Sequence, residues 1–339
     1  MKKTLIALAV LGAAAGVAHA QSNVTIYGIV DTGFIKESGS DVKMGENVNN
    51  RIGFRGVEDL GSGQAATFEL EKRFELADGT RKGVDWDGAS NVGLKGNNWG
   101  AVRLGRVNEL STETIRKFDP FYQYGVAGMI DSSQRSARIS NTVRYDSLNW
   151  SGFHFGASYS LGENTKNVNN TLTQTGADND GYAIMLGYDN GPLALVGNWS
   201  RLADSNKSSV WNLGAAYKFG PARVSLAYQQ TKDKGWKLGE QQDYANATEK
   251  DWLLGLEWTL GPGRLNASVQ YDRVNAAGWG DTKKLWKYGL GYTYNLSKRT
   301  SIYGNVAYTN LDDNEMGNYF GYENRDSVTG VQVGITHKF

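Results

Sequence analysis

Cysteine is absent from all 339 residues, which excludes disulfides and thiolate metal sites and leaves packing and backbone pairing to hold the fold. Neither sign of charge is in excess, with 36 Lys and Arg against 35 Asp and Glu, whereas a nucleic-acid-binding surface would want a strong basic surplus. Beyond the first twenty residues no run approaches 18 apolar residues, so no transmembrane helix is present. Proline is scarce at four residues, while glycines number 43 and aromatics make up 12%. With a mean hydropathy of −0.48, this mixture fits either a water-soluble β-sandwich or a barrel that crosses a membrane with strands. The alternation pattern has to decide.

Residues 1–20 read as an export signal to be cleaved. Lys2 and Lys3 form a basic start, residues 4–18 an apolar stretch too short to span a bilayer comfortably, and Ala18-His19-Ala20 a small-x-small cleavage site. The mature chain is expected to begin at Gln21 outside the cytoplasm, with residues 21–339 forming one domain and one more acid than base.

Alternation is clearest where Trp252, Leu254, Leu256, Trp258 and Leu260 share one face and Leu253, Gly255, Glu257 and Thr259 the other. Leu265, Ala267, Val269 and Tyr271 alternate in the same way with Asn266, Ser268, Gln270 and Asp272, and Trp286, Tyr288, Leu290, Tyr292 and Tyr294 with Lys287, Gly289, Gly291 and Thr293. One apolar and one polar face over six to ten residues is the period-two signature of a membrane barrel with a wet interior. Aromatics such as Tyr188, Trp199, Trp211, Tyr217, Tyr228, Trp252, Trp258, Tyr271 and Tyr294 fall near strand ends on the apolar parity, as an interfacial girdle requires. The opposite faces are too polar and glycine-rich to pack a second sheet.

Connections alternate in length. Asn190-Gly191-Pro192, Gly220-Pro221, Gly261-Pro262-Gly263 and Ser297-Lys298-Arg299 are tight turns, whereas 162–180, 232–249 and 311–325 are long, polar and rich in Asn, Asp and Gly. Short turns at one end and long loops at the other are a barrel's rhythm. The strands expected are 24–35, 50–58, 64–75, 84–95, 100–107, 137–146, 152–161, 181–190, 193–202, 209–219, 222–231, 250–260, 264–274, 285–296, 300–310 and 327–339. That makes an all-β, sixteen-stranded antiparallel transmembrane barrel with both termini on the short-turn side, wide enough for an aqueous channel.

One stretch breaks the pattern. Residues 108–138 alternate nowhere and carry both charges. Ser111-Thr112-Glu113-Thr114 offers a cap for a short helix that Asp119-Pro120 would stop. An irregular segment of about thirty residues in a compact domain tends to be functional.

Several blocks resemble one family. The segment Gln21-Ser-Asn-Val-Thr-Ile-Tyr-Gly-Ile-Val-Asp, then Arg51-Ile-Gly-Phe-Arg-Gly-Val-Glu-Asp-Leu-Gly, Val92-Gly-Leu-Lys-Gly, Leu104-Gly-Arg, Asn141-Thr-Val-Arg-Tyr-Asp-Ser and the final His337-Lys-Phe resemble the trimeric general diffusion porins of Gram-negative outer membranes, in that family's order. The resemblance implies a homotrimer in the outer membrane, a third long loop (108–138) folded into the channel, and passage of ions and small hydrophilic solutes. It further implies that Phe339 signals to the barrel-assembly machinery, and that wall arginines, among them Arg51 and Arg138, face acids on the inward loop. A third family arginine is missing, since Gly88 occupies its place. Any preference between anions and cations, leaning to anions, therefore rests on a thinner basic cluster.

Parity adds to this. If Ile52 and Phe54 face lipid, Arg51 and Arg55 face the lumen, and Arg73, Arg103 and Arg144 follow the same rule; a basic residue on the lipid face at the midplane would cost about 2–4 kcal/mol. The expected constriction therefore sets Arg51, Arg55, Arg73, Arg138 and Arg144 on the wall against Glu109, Glu113, Asp119 and Asp131 on the loop. Rival readings are weaker. A barrel hydrolase needs a nucleophile and a base, and His154 and His337 have no recognisable Ser or Asp partner in sequence; they also make no metal site, and no cofactor is expected. A structural or adhesive barrel would need a plug, and no other stretch is long enough.

Overall fold

The computed structural model describes residues 23–130, 137–162, 179–203, 207–234 and 246–339; the expected leader lies outside them. Sixteen long strands form one antiparallel sheet, each paired with its sequence neighbour. The last, Ser327–Lys338, pairs back onto the first, Asn23–Glu37, from Ile29↔Lys338 to Glu37↔Gly330. Closure leaves no unpaired edge. A further three-residue strand, Lys43–Gly45, folds back on the loop end of the first. The fourth long strand is Ala89–Gly96 rather than 84–95, because the segment before it stays in the loop, with the Gly88 N–H bonded to the Glu71 carbonyl at 3.0 Å. Conversely Ala247–Leu260 and Gly263–Ala276 extend further towards the loops than apolar alternation suggested. There the backbone ladder continues through polar residues.

The outer face is apolar and banded. Tyr182/Tyr188, Trp211/Tyr217, Trp252/Trp258 and Tyr288/Tyr294 are outward pairs six residues apart, about 20 Å along a strand at the usual rise. They mark two girdles flanking an apolar belt. In the upper girdle neighbouring rings touch, from Tyr182–Trp199 at 5.4 Å through Trp211–Tyr228, Tyr228–Trp252 and Trp252–Tyr271 to Tyr271–Trp286 at 4.5 Å between centroids. At the seam, the Phe339 ring occupies the space beside Gly28, where a Cβ would fall 2.3 Å from it.

The buried core lies inside the barrel, where the stretch between the fifth strand, Gly100–Asn108, and the sixth, Arg138–Asp146, folds into the lumen. Ile115, Phe118 and Met129 pack on Ala216, Ala227 and Leu253, while Leu110 packs on Ala183 and Met185. Wall glycines are the sockets. A Cβ on Gly214 would lie 2.6 Å from the Phe118 ring, and one on Gly255 2.6 Å from Pro120. This is why glycines crowd the polar parity, and each apolar side chain so buried contributes about 1.5–3 kcal/mol towards holding the loop. Near the mouth, a second short helix, Asn314–Tyr319, seats Met316 and Tyr319 against Val274, Leu285 and Leu311.

Candidate functional site

The inward loop begins with a helix, Leu110–Arg116. Its cap is Glu109, whose carboxylate accepts the N–H of Ser111 at 2.6 Å and of Thr112 at 3.3 Å. The cap thus falls two residues before the Ser111 suggested by sequence, because the side chain of an extended Glu109 reaches forward to the free N–H groups of the first turn. The next turn is organised by Asp119, which is fully buried and accepts the N–H of Phe121 (3.0 Å), Gln123 (2.7 Å) and Met129 (2.8 Å). The wall grips the loop backbone as well: Asn212 binds the Ser111 carbonyl, Ser225 that of Phe118, Arg223 that of Lys117, and the buried Lys287 donates to Gly128 at 2.6 Å.

Glu113 makes the principal ionic anchor. It meets Arg144 of the sixth strand at 2.8 and 3.1 Å, and the same guanidinium binds Asp146 and the Asn108 carbonyl. Burial by itself would raise the Glu113 carboxyl, but the adjacent Arg144 guanidinium outweighs it and holds the group down at about 2.

Beside the loop opens a recess of about 480 Å³. Arg73, Arg106, Arg116, Arg138 and Lys82 bring five cations to it, and Glu46 and Asp87 two acids. Arg73 leans on Glu71 (3.3 Å), Arg106 on Asp87 (2.8 Å) and Lys82 on Glu46 (2.8 Å). Arg116 lies over the Tyr124 ring, 5.5 Å from its centroid, with Nε donating to Gln123. The Nε of Arg138 has no hydrogen-bond partner among the described residues. Burial would raise the Tyr124 phenol, yet Arg116 and Arg51 together draw it below its ordinary value.

The expected constriction residues therefore divide. Arg73 and Arg138 line the recess, with Arg51 next to it, its Nε on the Asn49 carbonyl and its guanidinium 3.8 Å from Glu71. Arg55 is exposed over the Tyr27 ring. Arg144, Glu109, Glu113 and Asp119 meet the loop's own groups rather than the recess. Asp131 lies outside the described residues. The wall also carries acids far from the recess, at Asp233, Glu249, Asp251 and Asp272, all buried.

Three residues of the recess escaped the sequence reading. Lys82 and Arg116 sit in loops without parity. Arg106 follows outward Leu104 and should face lipid, but the pairing slips between Gly105 and Val107, and Gly105 adopts φ +129°. Such a bulge re-aims the following side chain, so Arg106 enters the recess near Gly88, where the family arginine is missing. The Leu104-Gly-Arg spacing was the available signal. His154, in the seventh strand, is 3.6 Å from Asp189, and His337 bonds Thr300 at 2.9 Å.

A closed sheet with an apolar belt outside, a polar wall inside and a loop folded into its lumen defines a water-filled pore through an outer membrane. The chain belongs to the Gram-negative porin family, whose profile matches residues 7–314. It is 34% identical over 371 aligned positions to outer membrane porin protein 32 of Delftia acidovorans, and 32% identical over 396 to an outer membrane porin of Bordetella pertussis, covering each chain in full. Among solved structures, the anion-selective porin from Comamonas acidovorans is similar at 30% identity and a TM-score of 0.76, over 94% of this chain and all of that one. This protein is an outer-membrane porin that lets ions and small hydrophilic solutes diffuse passively.

Proposed function

We propose that the channel favours anions, and that its filter is the basic recess beside the inward loop. The observation that carries this reading is the five-to-two excess of cations over acids lining that recess. Charged side chains at a narrow aqueous passage are how pores discriminate ions. The buried acids lie on the wall against which the loop is packed, so the field runs across the pore and gives anions and cations separate tracks. A 30% identical neighbour named as anion-selective supports the same direction. In a planar bilayer under a salt gradient, Arg116→Ala combined with Arg138→Ala should move the reversal potential towards cations, while conductance stays level or rises. An unchanged reversal potential would place the selectivity charge elsewhere.

The proposed assembly is a homotrimer inserted by the barrel-assembly machinery. The exposed aliphatic Val24, Ile26, Val92 and Leu94 on the short-turn half of the first strands support this reading, as an apolar face that a neighbouring copy can cover. A neighbouring fold at 16% identity is described in a trimer form. Unboiled gel migration near three subunits is the expected result, and a folded species of monomer mass in mild detergent would contradict it. Deleting Phe339 should lower outer-membrane yield without altering the conductance of channels that do insert, because its ring and backbone close the seam at Gly28.

A further inference from the structure

Outside the barrel, the row just beyond the upper girdle is cationic. Arg201 stands two residues past Trp199, Lys250 two before Trp252, Arg273 two past Tyr271 and Lys284 two before Trp286, each displaced towards the long loops. Register sets three of them side by side, since Lys250 pairs with Arg273 and Arg273 with Lys284. Lys232 lies one row further out, opposite Thr248. Lys232, Lys250, Arg273 and Lys284 are exposed, and no ion pair joins them to a carboxylate among the described residues.

The nearby acids are otherwise engaged. Glu249, Asp251 and Asp272 project from the same strands into the lumen, Asp312 accepts the backbone N–H of Lys284, and Asp180 accepts from Tyr159 and Gly162. On the rim's other side the pattern differs, for outward Lys72 has its own acid, Asp85, at 3.2 Å. Like charges directly opposed across strands destabilise a sheet, so three in adjacent register call for an anion from outside the chain. Their height, immediately beyond the aromatics, is the headgroup layer. The long-loop end faces the extracellular leaflet.

We propose that Lys250, Arg273 and Lys284 form a binding site for the phosphate groups of an outer-leaflet lipid, whose acyl chains lie over the apolar belt below Trp252, Tyr271 and Trp286. The arginine fork grips phosphate oxygens in bidentate fashion and the lysines close from either side as point charges. Lys232 extends the site towards the loops.

The test is native mass spectrometry of the folded protein in detergent, titrated with a bisphosphorylated, multiply acylated glucosamine disaccharide, the same lipid without phosphates, or inorganic phosphate. The variant is Lys250→Gln with Arg273→Gln and Lys284→Gln, and Lys36→Gln is the control at the same rim. A cation near an anionic lipid surface is worth about a factor of five, so the triple variant should bind the phosphorylated lipid roughly a hundredfold more weakly. The control should match wild type, the dephosphorylated lipid should bind poorly, and excess inorganic phosphate should not displace the lipid. Heat-modifiable gel migration verifies that the variant barrel is folded. Equal retention by a folded triple variant, equal binding of the dephosphorylated lipid, or displacement by inorganic phosphate would each overturn the proposal.

Discussion

Asp119→Ala should release the inward loop from its folded form and raise unit conductance while leaving the barrel intact. The Asp119 carboxylate is fully buried and satisfies three N–H groups spread from Phe121 to Met129. Alanine orphans all three, and each buried unsatisfied group costs about 1–3 kcal/mol. Phe118, Phe121 and Met129 sit on this turn, so slackening it loosens their seats on the wall as well. The strand ladders do not pass through Asp119, and heat-modifiable migration should therefore be unchanged. Asp119→Asn keeps an oxygen acceptor and should show a smaller effect. An alanine variant with wild-type conductance and noise would show that the aromatic sockets suffice to hold the loop.

The second large effect is expected from Arg144→Met. Arg144 is 2% exposed and is shared by Glu113, Asp146 and the Asn108 carbonyl. Removing it strips Glu113 of its guanidinium and leaves Asp146 to Arg103 alone, and because both carboxylates are partly exposed the loss falls below the about 3–5 kcal/mol of a fully buried pair broken from one side. Fluctuating conductance at neutral pH, partly cured by adding Glu113→Gln, is the expected record. The same pair fixes the acid behaviour of the parent channel. Because folding lowers the Glu113 pKa from 4.5 to about 2, its contribution to loop stability is complete above pH 4.5 and drains away as pH falls towards 2. Current noise in wild type should therefore stay flat down to about pH 4 and grow below it, whereas Glu113→Gln should flatten that rise. Acid noise that persists unchanged in Glu113→Gln would assign the transition to another carboxylate.

Much of this architecture was legible in the sequence because strands obey a rule of two. Wherever a backbone stays extended, alternation tells lipid from water, and Leu254, Leu256 and Trp258 leave no ambiguity. Legibility failed where the rule is suspended. The bulge at Gly105 turned Arg106 inward against its parity, and nothing in loop residues Lys82 and Arg116 announces that they converge on Arg73. Glu109 and Asp119 misled in another way. Their charge suggested pore-lining groups, whereas both serve backbone N–H groups of their own segment, a demand that exists only once the loop is folded. Gly214 and Gly255 were visible as glycines but not as sockets, because the rings they accept, Phe118 and Pro120, come from a distant part of the chain.

The side chains that seat the loop and those that colour the recess are two nearly separate sets. Phe118, Asp119, Glu113 and Arg144 fix how far the segment reaches into the lumen, and none of them lines the recess, which is drawn from the first strands, their loops and Arg116, Gln123, Tyr124 and Gly125 of the segment. Gauge and polarity can therefore vary independently. Point changes at Lys82, Arg106 or Arg116 each lower the positive charge of the recess while leaving the seats of the loop in place, and a lineage facing a new mixture of nutrients need not rebuild its gate to change what the gate prefers.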